Sequence, residues 1–174
     1  MRLHHMPMFL VLALSALGAS GISHGAEVGD RAPGCQAKGL DGSGAIDLAG
    51  RTGKVVYIDF WASWCGPCAD SFPFLDQLHS ELKSRGFEVI GVNLDEDTAD
   101  AQAFLRKRPV GFTLVGDPEG RCPRVYGVKV MPSSYLVDGQ GVIRQVHLGF
   151  KAGDKETIRE QVLMLLDGAR GKAR

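Results

Sequence analysis

The feature that most constrains the fold is a nearly unbroken apolar run that leads directly into two closely spaced cysteines. The run Val55–Trp61 does not alternate apolar with polar residues, as expected for a strand buried on both faces of a sheet. Cys65 and Cys68 follow it, and apolar residues then recur at helical spacing through Leu82. The sequence therefore predicts a buried strand, a Cys-Gly-Pro-Cys turn and a helix whose start carries both sulfurs.

Similar patterns predict that strands and helices alternate along the rest of the chain. The further strands are expected at residues 87–94, 112–115, 133–137 and 142–148, and the further helices at 99–107, 121–126 and around 158–166. Residues 27–53 are rich in turns, with a short hairpin around Asp41 and Gly42. This order predicts one α/β domain over residues 27–168, with an antiparallel edge to its sheet and a flexible tail at 169–174.

The first 26 residues have the layout of a secretory signal peptide. Arg2 opens a weakly basic start, ten apolar residues follow at Met8–Leu17, and small residues continue through Ala26. Ten residues are too few to span a bilayer core of about 30 Å, which needs about 20. We therefore expect a periplasmic or otherwise exported protein, cleaved near residue 21 or 26, or a membrane-anchored form if the segment stays uncleaved. Export also implies an oxidising compartment, in which cysteines can pair.

Composition narrows the function classes. Lys plus Arg and Asp plus Glu number 20 each, so the balanced charge gives no sign of a nucleic-acid partner or of a polybasic membrane surface. Hydrophobic residues make up 44% of the chain, which is enough for a sizeable core. Four cysteines are too few for a disulfide scaffold of this length, so each needs its own explanation. Nothing in the sequence predicts an oligomer, and we expect a monomer.

The Cys-x-x-Cys turn has a specific chemical consequence. Cys65 stands where the helix begins, and the unpaired N–H groups and the helix dipole there lower its thiol pKa from about 8.5 towards 7. The two-residue gap lets the Cys68 sulfur reach it, so the pair can cycle between dithiol and disulfide. Pro67 is well tolerated early in a helix. The alternatives are an inert bridge or half of a zinc site, but Cys35 and Cys122 do not form a second Cys-x-x-Cys.

Asp59 is the second informative residue, because it lies within the apolar strand six positions before Cys65. Burial there raises the pKa of its carboxyl group. A carboxyl group with a raised pKa, near the base of the helix that carries Cys68, could take and return the proton of the Cys68 thiol. The alternative is a carboxylate that faces solvent at the end of the strand.

The segment Asp59-Phe-Trp-Ala-Ser-Trp-Cys-Gly-Pro-Cys68 resembles the active-site segment of thioredoxins. The wider pattern, which includes Ala32-Pro33, Leu40-Asp41-Gly42 and Gly53-Lys54, is closer to the exported TlpA-like oxidoreductases of the ResA and DsbE type. The resemblance covers about Val28 to Leu166. It implies a thioredoxin fold, with a central mixed sheet flanked by helices and an N-terminal extension.

The resemblance also implies how clients bind. The interval of 67 residues from Cys65 to Pro132 has room for the β–α insertion of these proteins, which precedes a loop with a cis proline. Met131-Pro132 matches that loop, where the Met131 backbone can pair with a client chain as an extra strand. Gly66 and Pro67 belong to the same expected client-binding surface.

Two tryptophans flank this site. Trp64 is expected to pack beside Cys65, to limit its access to solvent and to contribute to client binding. Trp61 and Trp64 could equally be ordinary core residues.

Two positions depart from the family pattern. ResA-like members often carry a glutamate three residues after the second cysteine, where this chain has Ser71. The acid–base role then falls on Asp59. Members that reduce apocytochrome c often carry a glutamate beside the cis proline, and the segment Gly127-Val-Lys-Val-Met131 lacks it. This weakens the prediction of a dedicated role in cytochrome c maturation.

Cys35 and Cys122 either pair or remain separate. Some TlpA-like proteins have a second, structural disulfide that ties the N-terminal segment to the body, and the resemblance favours such a bond here. Two isolated buried thiols, or intermolecular or regulatory chemistry, are the alternatives.

These features predict an exported thiol–disulfide oxidoreductase that reduces client disulfides through Cys65 and Cys68, without a cofactor or a bound metal. The resemblance implies a membrane electron donor of the thiol–disulfide type. The alternatives are an oxidant that donates its disulfide and a Cu(I)-delivery or copper-site assembly protein that uses both cysteines. A thiol peroxidase is disfavoured because no Pro-x-x-x-Thr-x-x-Cys precedes Cys65.

Overall fold

The computed structural model describes residues 25–172. Residues 1–24 of the expected signal peptide, with the cleavage site near residue 21, fall outside the described residues, as do residues 173–174, whereas the alternative site near residue 26 falls within them. Across residues 25–172, no helix is both long and apolar enough to span a bilayer.

One seven-stranded sheet organises the fold. The strands are β1 (Gln36–Gly39), β2 (Ala45–Asp47), β3 (Val55–Trp61), β4 (Phe87–Asn93), β5 (Thr113–Gly116), β6 (Ser133–Val137) and β7 (Ile143–Leu148). Their order across the sheet is β2-β1-β5-β4-β3-β6-β7. Strands β3, β4 and β5 are parallel, whereas the other pairings are antiparallel, so the sheet is mixed and its edges are antiparallel as predicted.

Four α-helices surround the sheet. They are α1 (Gly66–Leu82), α2 (Thr98–Lys107), α3 (Arg121–Tyr126) and α4 (Asp154–Lys172). Asp97 caps α2, because its side chain accepts a hydrogen bond from the N–H of Ala99 at 2.8 Å. Helix α4 continues through Lys172, four residues beyond the predicted end of the domain at 168, so part of the expected tail is helical.

Burial follows the alternation of side chains along β3, all seven residues of which are buried as predicted. Tyr57 and Trp61 belong to a core that contains residues of α1, α2 and α4. Ile58 and Phe60 belong to a second core, on the opposite face, that contains residues of α3 and of the N-terminal segment. The sheet therefore separates two hydrophobic layers, and the helix that starts at the cysteine pair lies in the first.

The expected thioredoxin-like features are present. The hairpin β1–β2 forms the N-terminal extension, and Gly42 supplies the positive φ of +83° in its turn. The segment between β4 and β6 holds α2, β5 and α3, which contain the expected β–α insertion. The bond between Met131 and Pro132 is cis.

A disulfide joins Cys35, just before β1, to Cys122 in the first turn of α3. Two hydrogen bonds support this junction. The N–H of Cys122 donates to the buried carboxylate of Asp117 at 2.6 Å, and the Tyr126 hydroxyl donates to the Pro33 carbonyl at 2.9 Å. The bond therefore fastens the N-terminal extension to the second core.

We expect removal of this disulfide to lower the stability of the protein. The two cysteines are separated by 87 positions, and closing so long a loop stabilises a fold by about 4 kcal/mol in the chain-entropy model. The double variant C35A/C122A should therefore lose about 2–4 kcal/mol in urea denaturation at pH 7. The matched control is C65A/C68A, which removes the disulfide that closes a far shorter loop. The same model predicts that its free energy of unfolding falls by about 2 kcal/mol. An unchanged free energy of unfolding in C35A/C122A would contradict the assignment.

Candidate active site

The cysteine pair lies at the point where β3 gives way to α1. Cys65 is the N-cap residue of α1, and its Sγ accepts a hydrogen bond from the N–H of Cys68 at 3.3 Å. Cys65 and Cys68 form a disulfide in this structure. Cys65 is 5% exposed, whereas Cys68 is fully buried. An incoming thiol or disulfide can therefore reach Cys65 first, and Cys68 can act only through Cys65.

Asp59 is buried in the middle of the sheet, which excludes the solvent-facing alternative. It alternates with Tyr57 and Trp61 along β3, so its side chain lies on the face that carries α1 and Cys68. Burial raises the pKa of Asp59 to about 7, although a hydrogen bond from Ser134 acts in the opposite direction. The predicted burial is confirmed, and a carboxyl group with this pKa can exchange a proton near neutral pH.

A groove of about 510 Å³ opens beside Cys65. Its walls come from the turn before α1, from the end of β4, from α3 and from the loop before β6. The lining residues are Trp64, Cys65, Gly66, Pro67, Leu94, Pro123, Val128, Lys129, Val130 and Met131. Within residues 25–172 no hydrogen bond occupies the backbone N–H or C=O of Met131. The groove thus brings four of the five expected client-binding residues together beside Cys65, and Pro132 is not among its lining residues.

The two tryptophans have different environments. Trp61 is a core residue that packs against Phe72 and Phe104, with ring centroids 4.8 and 5.0 Å apart. Trp64 is 71% exposed and lines the groove beside Cys65, so the expectation of a core role is wrong for it. The backbone N–H of the neighbouring Ser63 donates a hydrogen bond to Asp95, and the Trp64 side chain lies on the outer side of this loop.

The sequence analysis missed the group that holds this loop. Asp95 is 4% exposed, and its carboxylate accepts hydrogen bonds from the N–H of Ser63 at 3.0 Å and from the Ser63 hydroxyl at 3.0 Å. The Asn93 amide donates a further bond to Asp95 at 2.8 Å. Polar residues directly after β4 were the available signal, because β3 and β4 are parallel and their carboxyl ends meet at one edge.

Two buried serines were also missed or only partly interpreted. Ser134 on β6 donates its hydroxyl proton to Asp59 at 2.6 Å. Ser71, at the position where ResA-like members carry glutamate, donates to the Cys68 carbonyl at 3.0 Å and is 2% exposed. Ser71 cannot exchange a proton near pH 7, whereas burial raises the pKa of Asp59 into that range. No group of three or more potential metal ligands occurs within residues 25–172.

The chain matches known proteins over most of its length. The family model described as Redoxin matches residues 27–163. The thiol-disulfide oxidoreductase ResA of Halalkalibacterium halodurans is 30% identical over 141 residues, which are 81% of this chain and 78% of the relative. The ResA of Bacillus thuringiensis subsp. konkukian is 32% identical over 119 residues, 68% of each chain. A Chlorobium tepidum structure described as a thiol:disulfide interchange protein DsbE is 47% identical, has a TM-score of 0.77, and is matched over 81% of this chain and 99% of its own.

The pKa of Asp59 predicts how stability depends on pH. Between about pH 4 and pH 7 the unfolded chain has released this proton while the folded protein has kept it, so stability falls as the pH rises. The variant D59N removes this dependence. At pH 8 it should be more stable than the parent protein by up to roughly 4 kcal/mol, from a shift of 3.8 to about 7 at about 1.36 kcal/mol per pH unit.

Urea denaturation of the oxidised proteins at pH 4.5 and pH 8 measures this effect. The gain of D59N over the parent protein should be full at pH 8 and fall to about 1 kcal/mol at pH 4.5, because pH 4.5 lies only about 0.7 unit above the unfolded pKa of 3.8. The control is D70N, which neutralises an exposed carboxylate of α1 and should show no such difference. Equal gains for D59N at both pH values would show that Asp59 is not held protonated by the fold.

Proposed function

The chain belongs to the redoxin family and is a thiol–disulfide oxidoreductase of the TlpA, ResA and DsbE type, and we propose that it acts outside the cytoplasm as a reductant of client disulfides. One observation carries this proposal. A buried Cys68 and a nearly buried Cys65 are bonded at the start of α1, on the sheet face that also holds a carboxyl group with a pKa of about 7.

The proposed reaction starts from the reduced pair. The Cys65 thiolate attacks one sulfur of a client disulfide, a mixed disulfide forms, and the other client sulfur leaves as a thiolate. The Cys68 thiol then gives its proton to the Asp59 carboxylate and attacks the Cys65 Sγ. The second client sulfur leaves, and Cys65 and Cys68 are bonded as in this structure. Two electrons pass from the protein to the client.

We propose that the client binds along the groove as an extended segment. The free backbone groups of Met131 are suited to pair with it as an additional strand, which would bring its disulfide to Cys65. The exposed face of Trp64 and the apolar side chains of Val128 and Val130 would cover the flanking client residues. Pro132 has no N–H group that would need a partner beside the client.

Three features favour reduction over oxidation. A strongly stabilised thiolate makes a Cys-x-x-Cys pair oxidising, because it stabilises the reduced form. Gly66 and Pro67 contribute no charged side chain, and Pro67 has no N–H to donate to the sulfur. An ionised Asp59 on the same face of the sheet opposes a second negative charge on the cysteine pair. The Cys65 thiolate is therefore stabilised mainly by the start of the helix.

The reduction potential of the Cys65–Cys68 pair tests this direction. We expect a value near about −270 mV when the mature protein is equilibrated in dithiothreitol or glutathione buffers. A value near about −120 mV would overturn the reductive role and support the disulfide-donating alternative. The control is C35A/C122A, which should give the same potential if the measured couple is Cys65–Cys68. Mass spectrometry of alkylated samples shows which cysteines have been reduced.

We also propose that the chain is exported by residues 1–26, with Met8–Leu17 as the hydrophobic segment, that it is monomeric, and that a membrane thiol–disulfide protein reduces it. Expression of the full chain in a bacterium should give a mature protein that begins near residue 22 or 27. Amino-terminal sequencing of the periplasmic fraction identifies this start. An intact Met1 in the cytoplasmic fraction would contradict cleavage and export, and an intact Met1 in the membrane fraction would indicate an anchored form.

A further inference from the structure

The side chain of Asp59 has an unusual position in the sheet. Its partner on β4 is Gly91, which has no side chain, and its partner on β6 is Ser134. A Cβ at position 91 would meet the side chains of Leu114, Phe112 and Trp61 at 2.9, 3.1 and 3.2 Å, so the space on that side is already filled. Ser134 is therefore the one cross-strand neighbour of Asp59 with a polar side chain.

The contact between the two residues is short and asymmetric. The Ser134 hydroxyl donates to Oδ1 of Asp59 at 2.6 Å, and Ser134 is 2% exposed. Oδ2 of Asp59 is buried and has no hydrogen-bond partner among the described residues. A hydroxyl group has a single proton to donate, so the bond stabilises the anion through Oδ1 and leaves Oδ2 as the oxygen that can take up a proton.

We propose that Ser134 is a positioning residue for disulfide exchange, whose hydroxyl orients the Asp59 carboxyl group and sustains its anionic form while it accepts the proton of Cys68. The proposal rests on the base role of Asp59 given above. It adds a residue that acts on the proton transfer through Asp59.

The other ionisable groups near Asp59 do not replace Ser134. Tyr57 alternates with Asp59 on β3. Burial raises the pKa of Tyr57 although a side-chain hydrogen bond with Ser134 acts in the opposite direction, so Tyr57 stays neutral. His147 on β7 is the partner of Ser134, and burial lowers its pKa. Asp154 begins α4 and acts on Tyr57 and His147, and Cys68 on α1 is the proton donor in the reaction. The hydrogen bond from Ser134 is thus the one interaction that opposes the effect of burial on Asp59.

The sign of the effect follows. Removal of the hydroxyl group leaves burial unopposed, which raises the pKa of Asp59 above about 7. The bond is charge-assisted when Asp59 is ionised. Its removal is expected to raise the pKa of Asp59 by about one unit. At pH 7 the fraction of ionised Asp59 then falls about fivefold, and so does the rate at which Cys68 can be deprotonated.

The first experiment measures Asp59 itself. The carboxyl-carbon resonance of Asp59 is titrated by NMR in the reduced parent protein, S134A and S134T. We expect S134A to titrate about one pH unit higher and S134T, which keeps the hydroxyl group, to titrate like the parent protein. The control is S133A, which removes the adjacent buried hydroxyl that donates to the Val130 carbonyl and leaves Asp59 unchanged. A pKa of Asp59 that is the same in S134A and the parent protein overturns the proposal.

The second experiment follows the reaction with 5,5′-dithiobis(2-nitrobenzoate). Attack by Cys65 releases one thionitrobenzoate and forms a mixed disulfide, and attack by Cys68 then releases the second. We expect S134A to leave the first release unchanged, to slow the second about fivefold at pH 7, and to recover at higher pH. S134T should restore the parent profile. A slow second release in S134A that does not recover at higher pH would mean a packing defect and would overturn the proposal.

A third variant separates this proposal from the function on which it rests. D59N should abolish the pH dependence of the second release near pH 7 if Asp59 is the base. If D59N does so and S134A has no effect, the base role stands and the positioning role of Ser134 is overturned. If neither variant changes the profile, the base role itself fails, and the positioning role fails with it.

Discussion

The burial of one carboxyl group in the centre of the sheet is the constraint on which the rest of the site depends. A charged Asp59 between β4 and β6 lacks the water that would stabilise it, and Ser134 gives it a single hydrogen bond. The fold tolerates this carboxyl group because it keeps its proton up to about pH 7. Above that pH, Asp59 ionises in the folded protein without the water that would stabilise its charge. The same retention that costs stability at high pH makes the group able to exchange a proton with a buried thiol. Stability and reactivity are therefore linked through one residue.

Strand order explains why the parts of the site meet. Strands β3 and β4 are parallel, so their carboxyl ends lie together and Asp95 reaches Ser63 in the turn before α1. Strand β6 is antiparallel to β3, and Ser133 pairs with Phe60, so β6 begins at the edge where β3 ends. The Met131-Pro132 loop that precedes β6 must then lie beside Cys65. The groove is a consequence of this register and needs no additional element to form it.

Much of this arrangement could be predicted from the sequence, and the remainder could not for definite reasons. The apolar surroundings of Asp59 within one strand predicted its burial and raised pKa, because both are local properties. Ser134 could not be found in this way, because the segment Ser-Ser-Tyr-Leu-Val does not reveal which strand it pairs with or in what register. The end of α4 was predicted too early, since Gly168 disfavours a helix while packing through Ile158, Val162 and Leu166 stabilises it. The outward position of Trp64 could not be predicted for the same reason, because it depends on the hydrogen bonds that the neighbouring Ser63 donates to Asp95, just after β4.

The two disulfides lie on opposite faces of the sheet, and this separation has a chemical consequence. Cys68 belongs to the core beneath α1, whereas Cys122 belongs to the core beneath α3. Thiol–disulfide exchange requires the attacking sulfur to approach in line with the bond that breaks, so access decides which disulfides react. Cys122 is fully buried, whereas its partner Cys35 is only half-buried, so an attacking thiol reaches this bond more readily through the Cys35 sulfur. The bond that stabilises the N-terminal extension is thereby separated by the sheet from Cys68, and its exchange would proceed through Cys35.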